Sequence, residues 1–148
     1  PSQILLEKLG SDDTLVFVDD FVGTGNSVCT AWEESFAELV PDIGNVYLVV
    51  VAAIQDGRKR VSNETSLTCV AGQELTDHDN FFADKCGAFS KAEKAAILRY
   101  CERAHRKEPM GYGKCGLVVV FQHRSPNNTL PIFYADHNRW TGLFPRHG

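Results

Sequence analysis

The chain has 148 residues, of which 43% are hydrophobic and 23% charged, and a formal net charge of −4. This length and composition are typical of one globular domain of ordinary size. The acidic balance argues against general nucleic-acid binding, and no apolar run approaches the roughly 18 residues that a membrane span needs.

The five cysteines are scattered along the chain, and no two of them form a CxxC pair. This pattern favours free thiols in a reducing cytoplasm over a disulfide framework. A zinc site built from residues such as His78 and Cys86 is the less favoured alternative, because the usual spacing of zinc ligands is missing.

Short apolar runs alternate with stretches of helical periodicity in the first half of the chain. Residues 2–8 are typical of a short helix, and the run Leu15–Val18 predicts a strand buried on both faces. Apolar residues at helical spacing then predict a helix over Asn26–Val40, closed by Pro41. Two further strands are predicted, at Val46–Ile54 and at Ser66–Val70.

The second half of the chain continues this alternation. Ser90, followed three residues later by Glu93, matches a capping box and predicts a helix from Lys91 to about Arg106. Apolar runs then predict strands at Leu117–Phe121 and Ile132–Tyr134. The order of elements indicates an α/β fold with a mainly parallel sheet and flanking helices.

Polar segments follow several of the predicted strands. In parallel sheets, ligands bind outside the carboxyl ends of the strands. The segments expected at that edge are Asp19 and Asp20 with the turn at 23–27, residues 55–58, and residues 123–128. The predicted site therefore lies along this edge.

The turn at residues 23–27 has the composition of an anion site. Gly23 and Gly25 allow close backbone approach, and the start of a helix near Asn26 adds backbone N–H groups and a partial positive charge. Thr24 and Ser27 can donate hydroxyl hydrogen bonds to a phosphate. No lysine follows the glycines, which excludes the P-loop of NTPases. The third glycine of the dinucleotide-binding GxGxxG pattern is also missing, which excludes that loop.

Asp19 and Asp20 precede this turn, with two residues between them and Gly23. A ribose 5-phosphate would suit both the acids and the turn, since its hydroxyls donate hydrogen bonds to the acids while its phosphate lies on the turn. Mg²⁺ would help to neutralise the cluster. The alternative is that the two acids only cap and solvate an acidic turn.

The stretch "FVDDFVGTGNS" resembles the phosphoribosyl-pyrophosphate-binding motif of type I phosphoribosyltransferases, which are transferases of the glycosyltransferase class. The resemblance implies that Asp19 and Asp20 are the catalytic pair, hold the ribose hydroxyls and bind Mg²⁺ indirectly. It also implies that Gln55 lies near the base pocket. The residues implied to hold the 5-phosphate are Gly23, Thr24, Gly25, Asn26 and Ser27.

The C-terminal segment "PNNTLPIFYADHNRWTGLFPR" resembles the tail of phosphoribosyltransferase-like domains from bacterial conflict (defence) gene clusters. The resemblance makes Asn127 and Asn128 candidates for substrate binding. An Asx-type turn ahead of Pro131 is an open alternative for both. His123 and Arg124 could meet an anionic ligand, although a solvated strand end is the favoured interpretation.

No residue before Leu15 can be assigned to the pyrophosphate-binding loop of the family. We therefore expect residues 1–148 to be one phosphoribosyltransferase-like domain of a longer protein, without the N-terminal part of the family core. An upstream segment or a partner chain would complete the site. The expected function is to bind phosphoribosyl pyrophosphate or a nucleotide and to take part in phosphoribosyl transfer to or from a nucleobase, in antiphage defence. The alternative is a nucleotide-sensing or scaffold domain without chemistry.

Overall fold

The structure is a computed structural model, and it describes residues 9–38, 44–137 and 139–145. The chain divides into two compact units, Pro1–Leu75 and Thr76–Gly148. The helix predicted at residues 2–8 lies outside the described residues, and so does Pro41, the predicted end of the first long helix.

The first unit is built on a parallel sheet of three strands. They are β1 (Thr14–Val22), β2 (Asn45–Ile54) and β3 (Thr68–Leu75), in the order β1-β2-β3. Helix α1 (Asn26–Ser35) connects β1 to β2, and helix α2 (Gln55–Glu64) connects β2 to β3. The predicted α/β fold with a parallel sheet and flanking helices is therefore confirmed.

Burial alternates along the strands, as expected for a sheet with one packed face. Leu15 and Phe17 of β1 lie opposite Val46 and Leu48 of β2 and belong to the same hydrophobic cluster. On the other face, Val18 is 79% exposed. The prediction that this run is buried on both faces is therefore wrong. An apolar run makes a strand suitable for burial on both faces. Whether the second face is buried depends on other elements that pack on it, and the run itself does not show these.

The bounds of several elements differ from the predicted ones. β1 extends to Val22, so the two acids lie within the strand and not after its end. α1 ends at Ser35, and β3 runs to Leu75 where the pattern predicted an end at Val70. Residues 71–75 show no apolar run that would predict a strand, although their backbone continues the hydrogen-bonded ladder with β2.

Helix α2 was predicted only as a polar segment at the edge of the sheet. Its sequence, QDGRKRVSNE, buries only Gly57 and Val61, so it carries almost no hydrophobic periodicity. Charged pairs one turn apart support it instead, at Asp56–Lys59 (3.9 Å) and Arg60–Glu64 (2.9 Å).

The second unit contains helix α3 (Lys91–Ala104), which begins at the predicted capping box. The Ser90 hydroxyl accepts from the Glu93 backbone N–H at 3.3 Å, and the Glu93 carboxylate accepts from the Ser90 N–H at 2.8 Å. Cys101 of this helix packs in a buried cluster with Phe81 and Leu130.

The two strands predicted in the second unit are wrong. Within Leu117–Phe121, only Leu117 makes a bridge, to Thr129. Ile132 lies in a short helix, α4 (Pro131–Tyr134), which has proline at a position that favours helix starts. The regular strands described in this unit are the antiparallel pair β4 (Asp136–His137) and β5 (Trp140–Thr141). A short apolar run does not distinguish a strand from another buried segment.

None of the helices in the described ranges is long and apolar enough to cross a membrane.

Candidate functional site

The turn at residues 23–25 leads directly into α1. Gly25 is the N-cap residue, with the left-handed angles φ 81° and ψ −12°, and its carbonyl accepts from the Cys29 N–H at 3.0 Å. Glycine favours this conformation because it has no Cβ. It also has no side chain to cap the first helical amides, and the first turn carries no acidic residue. These features suit an anion at the helix start.

The two acids lie in the C-terminal half of β1. Asp19 is exposed and Asp20 is half-buried. The backbone N–H of Asp20 donates to Oδ1 of Asp19 at 2.8 Å, which orients the Asp19 carboxylate. Strand alternation puts Asp19 on the same side as Phe17, whereas Asp20 lies on the other side.

A cleft of about 220 Å³ lies between β1 and α1. Asp19 and Ser27 both line it, together with apolar residues that include Phe17, Val28 and Trp32. The structure therefore brings one predicted ribose-binding acid and one predicted phosphate-binding hydroxyl to the same cavity.

Helix α2 lies against the turn through backbone contacts that the sequence did not reveal. A Cβ on Gly57 would overlap the carbonyl oxygen of Gly23, and a Cβ on Gly25 would lie 2.9 Å from the carbonyl oxygen of Gly57. Val61 is fully buried beside this contact. The position of the turn thus depends on a helix that begins about 30 residues further along the chain.

A side-chain network also joins α1 to α2. Nη1 of Arg60 donates to Oδ1 of Asn26, and Nε of Arg60 donates to Oε1 of Glu64 at 2.9 Å. The hydrogen bond from Arg60 lowers the pKa of Glu64. Burial raises the pKa of the Cys29 thiol, and the neighbouring Glu64 carboxylate raises it further. Asn26, a predicted phosphate-binding residue, is therefore held by a cation from the neighbouring helix.

Gln55 is the first residue of α2, at the carboxyl end of β2. Its Nε2 donates to Oε1 of Glu74 at 3.1 Å, while Nη2 of Arg58 lies 2.7 Å from Oε2 of the same carboxylate. Arg58 belongs to the segment 55–58 that was expected at this edge, whereas Glu74 was missed because the end of β3 was predicted at Val70. The pair Gln55–Glu74 forms a polar group at the predicted edge of the sheet.

Asn127 and Asn128 belong to the second unit, in a turn where the Thr129 N–H donates to the carbonyl of Pro126 at 3.2 Å. Asn128 is 3% exposed, and its Nδ2 donates to the Tyr112 carbonyl at 3.1 Å and to Sγ of Cys115 at 3.3 Å. The backbone turns here as expected, but the Asn128 amide donates to residues 13 and 16 positions earlier, which is not the local contact of an Asx-type turn. The ligand-binding role of both asparagines stays a prediction.

His123 and Arg124 of the second unit are exposed. The His123 ring stacks on Phe121, with ring centroids 6.0 Å apart, and the Arg124 carbonyl accepts from the Phe121 N–H. These contacts agree with the favoured interpretation of a solvated end to this segment.

The described residues contain no group of three or more His, Cys, Asp or Glu side chains that could hold a metal ion. His78, one residue of the zinc alternative, places its Nδ1 3.2 Å from the backbone carbonyl of Lys85. The zinc alternative therefore gains no support.

The chain also matches a known protein family. The family model PRTase-CE matches residues 1–146, which is nearly the whole sequence. No curated protein and no solved structure shows significant similarity to the chain. The family match confirms the resemblance carried by "FVDDFVGTGNS" and supports a function of the phosphoribosyltransferase type in general. The chain therefore belongs to the PRTase-CE family and is a phosphoribosyltransferase-like domain.

Proposed function

We propose that this domain binds a 5-phosphoribosyl compound, either phosphoribosyl pyrophosphate or a nucleotide, and takes part in phosphoribosyl transfer to or from a nucleobase. In this proposal Asp19 and Asp20 accept hydrogen bonds from the ribose hydroxyls. The 5-phosphate lies on residues 23–27, and Gln55 lies near the base.

The observation that carries the proposal is the shared cleft of Asp19 and Ser27. A ribose 5-phosphate has hydrogen-bond donors at one end and a dianion at the other. The Asp19 carboxylate and Ser27, the second residue of the uncapped helix α1, both line this mainly apolar cleft and suit those two groups. The acidic-turn alternative explains neither the cavity nor the uncapped start of α1.

The donor set also fits indirect binding of Mg²⁺. Mg²⁺ usually keeps several waters and binds one or two carboxylates together with substrate phosphates. Asp19 lines the cleft and supplies one such carboxylate, and Asp20, on the other side of the strand, would act on the ion through water. Bound in that way, the ion would offset the negative charge of the substrate phosphates. The chain's own residues would orient the ribose and the 5-phosphate.

Titration calorimetry with phosphoribosyl pyrophosphate and MgCl₂ tests the binding. We expect saturable heat with the wild type and an affinity at least about tenfold lower in Asp19→Asn, because one charge-assisted hydrogen bond is lost. Asp56→Asn is the matched control, since it removes the same charge from a side chain that is 90% exposed on α2. Equal heats for wild type and Asp19→Asn, or no heat from either, would refute the proposal.

Release of pyrophosphate separates transfer from binding alone. The measurement needs the protein in its natural full length together with a panel of nucleobases. Release that is lost in Asp20→Ala supports transfer. Binding without release supports the alternative, in which the domain senses a nucleotide without chemistry.

The resemblance of the C-terminal segment to defence-cluster domains supports a role in antiphage defence. Cells that express the natural protein should plate phage less efficiently than cells that express its Asp20→Ala variant. Equal plating efficiency would count against this role.

A further inference from the structure

One face of α2 lies against the turn at residues 23–27 and against α1. Gly57, Arg60, Val61 and Glu64 recur at the spacing of one helical face, and the contacts with the turn and α1 involve these residues. A Cβ on Gly25 would lie 3.4 Å from Cγ2 of Val61 and 3.6 Å from Cβ of Arg60. The helix therefore packs on the turn through its backbone, its apolar side chain and its charged side chain together.

Arg60 bridges two acceptors on different helices. Its Nη1 donates to Asn26 at the first position of α1, and its Nε donates to Glu64 of its own helix at 2.9 Å. The pKa of Glu64 is lowered by the hydrogen bond from Arg60 and, to a smaller extent, by Cys29, one turn further along α1. The planar guanidinium has donors on separate nitrogens and can hold both acceptors in fixed directions, which a lysine ammonium does less well.

We infer that Arg60 is a positioning residue for the phosphate turn and that it acts through Asn26. This inference rests on the proposed binding of a 5-phosphate at residues 23–27. Because Gly25 cannot cap α1 with a side chain, the orientation of the first helical turn depends on contacts from outside that helix. Arg60 supplies such a contact before any ligand arrives, so less ordering is needed when the phosphate binds.

Ribose 5-phosphate is the probe, because it contains the group that the turn would hold and lacks the pyrophosphate. We expect Arg60→Gln to weaken its binding by about tenfold, the equivalent of one charge-assisted hydrogen bond. Arg60→Lys keeps the positive charge but loses the planar guanidinium with its separate donors, so this variant should also bind ribose 5-phosphate more weakly than the wild type. If Arg60→Lys binds as tightly as the wild type, the positioning role is refuted and a simple charge effect remains.

Lys59→Gln is the matched control on the same helix. It removes one positive charge from the neighbouring residue, which contacts Asp56 at 3.9 Å. Its affinity for ribose 5-phosphate should stay within about twofold of the wild type, because a screened surface charge contributes little. An equal loss in Lys59→Gln and Arg60→Gln would refute a specific role for Arg60.

A double-mutant cycle tests the route through Asn26. If Arg60 acts through Asn26, the losses of affinity in Asn26→Ala and Arg60→Gln should be clearly less than additive in the double variant. Additive losses would show two independent contributions and would contradict the inference.

Amide hydrogen exchange in the ligand-free protein makes the inference testable apart from the proposed function. The amides of residues 25–29 should exchange about tenfold faster in Arg60→Gln than in wild type, because their local opening costs less free energy. Lys59→Gln should exchange at the wild-type rate. If the wild type does not bind ribose 5-phosphate, the proposed function is refuted. The amide exchange rates of residues 25–29 still test the positioning role of Arg60 in that case. Equal exchange in Arg60→Gln and wild type overturns the inference in either case.

Discussion

Gly57 of α2 lies directly against Gly23 of the turn at residues 23–27, so closely that a Cβ on Gly57 would overlap the Gly23 carbonyl oxygen. Gly57 is buried, and its own carbonyl oxygen lies where a Cβ on Gly25 would come within 2.9 Å. Two backbone segments from distant parts of the chain are therefore in contact without intervening side chains. This contact sets the distance between α2 and the turn.

Gly57→Ala should destabilise the protein and weaken binding at the turn. The added methyl group meets backbone, which cannot rotate away, so the turn or the helix must shift. We expect a loss of about 1–3 kcal/mol in the free energy of unfolding, the usual cost of overpacking. Urea denaturation followed by circular dichroism measures it.

Gly10→Ala is the control for this substitution, because a Cβ at Gly10 meets no atom within 4 Å. We expect its unfolding midpoint to stay close to that of the wild type. A Gly57→Ala protein as stable as Gly10→Ala would contradict the contact between α2 and the turn.

Asn128→Ala should destabilise the second unit. The side chain is 3% exposed and donates to the Tyr112 carbonyl and to Sγ of Cys115. Removing it takes this donor from the half-buried Tyr112 carbonyl, which keeps the longer bond from the Cys115 N–H at 3.4 Å, and leaves a gap where the buried amide was. The expected cost is about 1–3 kcal/mol in the free energy of unfolding, measured by thermal and chemical denaturation.

Asn127→Ala is the neighbouring control, since Asn127 is exposed and its backbone carbonyl still accepts from the Tyr112 N–H. It should leave stability within about 0.5 kcal/mol of the wild type. If it also lowers the affinity for phosphoribosyl pyrophosphate, Asn127 gains support as a ligand contact. Wild-type stability in Asn128→Ala would refute the structural role of that amide.

Stability should fall at alkaline pH through Cys101. This thiol is fully buried, and desolvation raises its pKa from 9.0 to about 11. The folded state thus keeps a proton that the unfolded chain loses above pH 9, so the contribution is fully present below about pH 9 and is lost as the pH rises towards 11. The free energy of unfolding should drop by about 1–3 kcal/mol more in wild type than in Cys101→Ala over that range.

Urea denaturation of both proteins at pH 8, 9, 10 and 11 gives this difference. Cys101→Ala will start from a lower stability because it leaves a small cavity, so the slope against pH is compared and not the absolute value. Parallel slopes for the two proteins would rule out the raised pKa of Cys101.

The strand, the acids, the turn and the first helix could be predicted because they are adjacent in sequence. The apolar residues before Asp19 favour a strand, and the glycines allow the turn before Asn26. The capping box at Ser90 and Glu93 is local in the same sense, and α3 begins there. The α/β fold and the family resemblance both follow from such short segments.

Helix α2 could not be predicted because little apolar surface marks it. Its polar sequence resembles a loop, and its stability comes from charged pairs and from Val61. The strand prediction for Leu117–Phe121 was wrong for the opposite reason. Its apolar residues suit a strand, but its backbone hydrogen bonds go mainly to turns and to single contacts, such as the bond from the Leu130 N–H to the Leu117 carbonyl.

The sequence by itself determined the residues of the turn, and two acids, two glycines and two hydroxyl residues within nine positions carry the prediction of a ribose and a phosphate. Only the tertiary structure decided what holds that turn in place. Gly57 and Arg60 lie 34 residues from Gly23 and Asn26, respectively, and Gln55 meets Glu74 at a separation of 19. Local patterns describe backbone preferences over a few residues, whereas these contacts arise only when packing of the sheet and helices brings distant segments together.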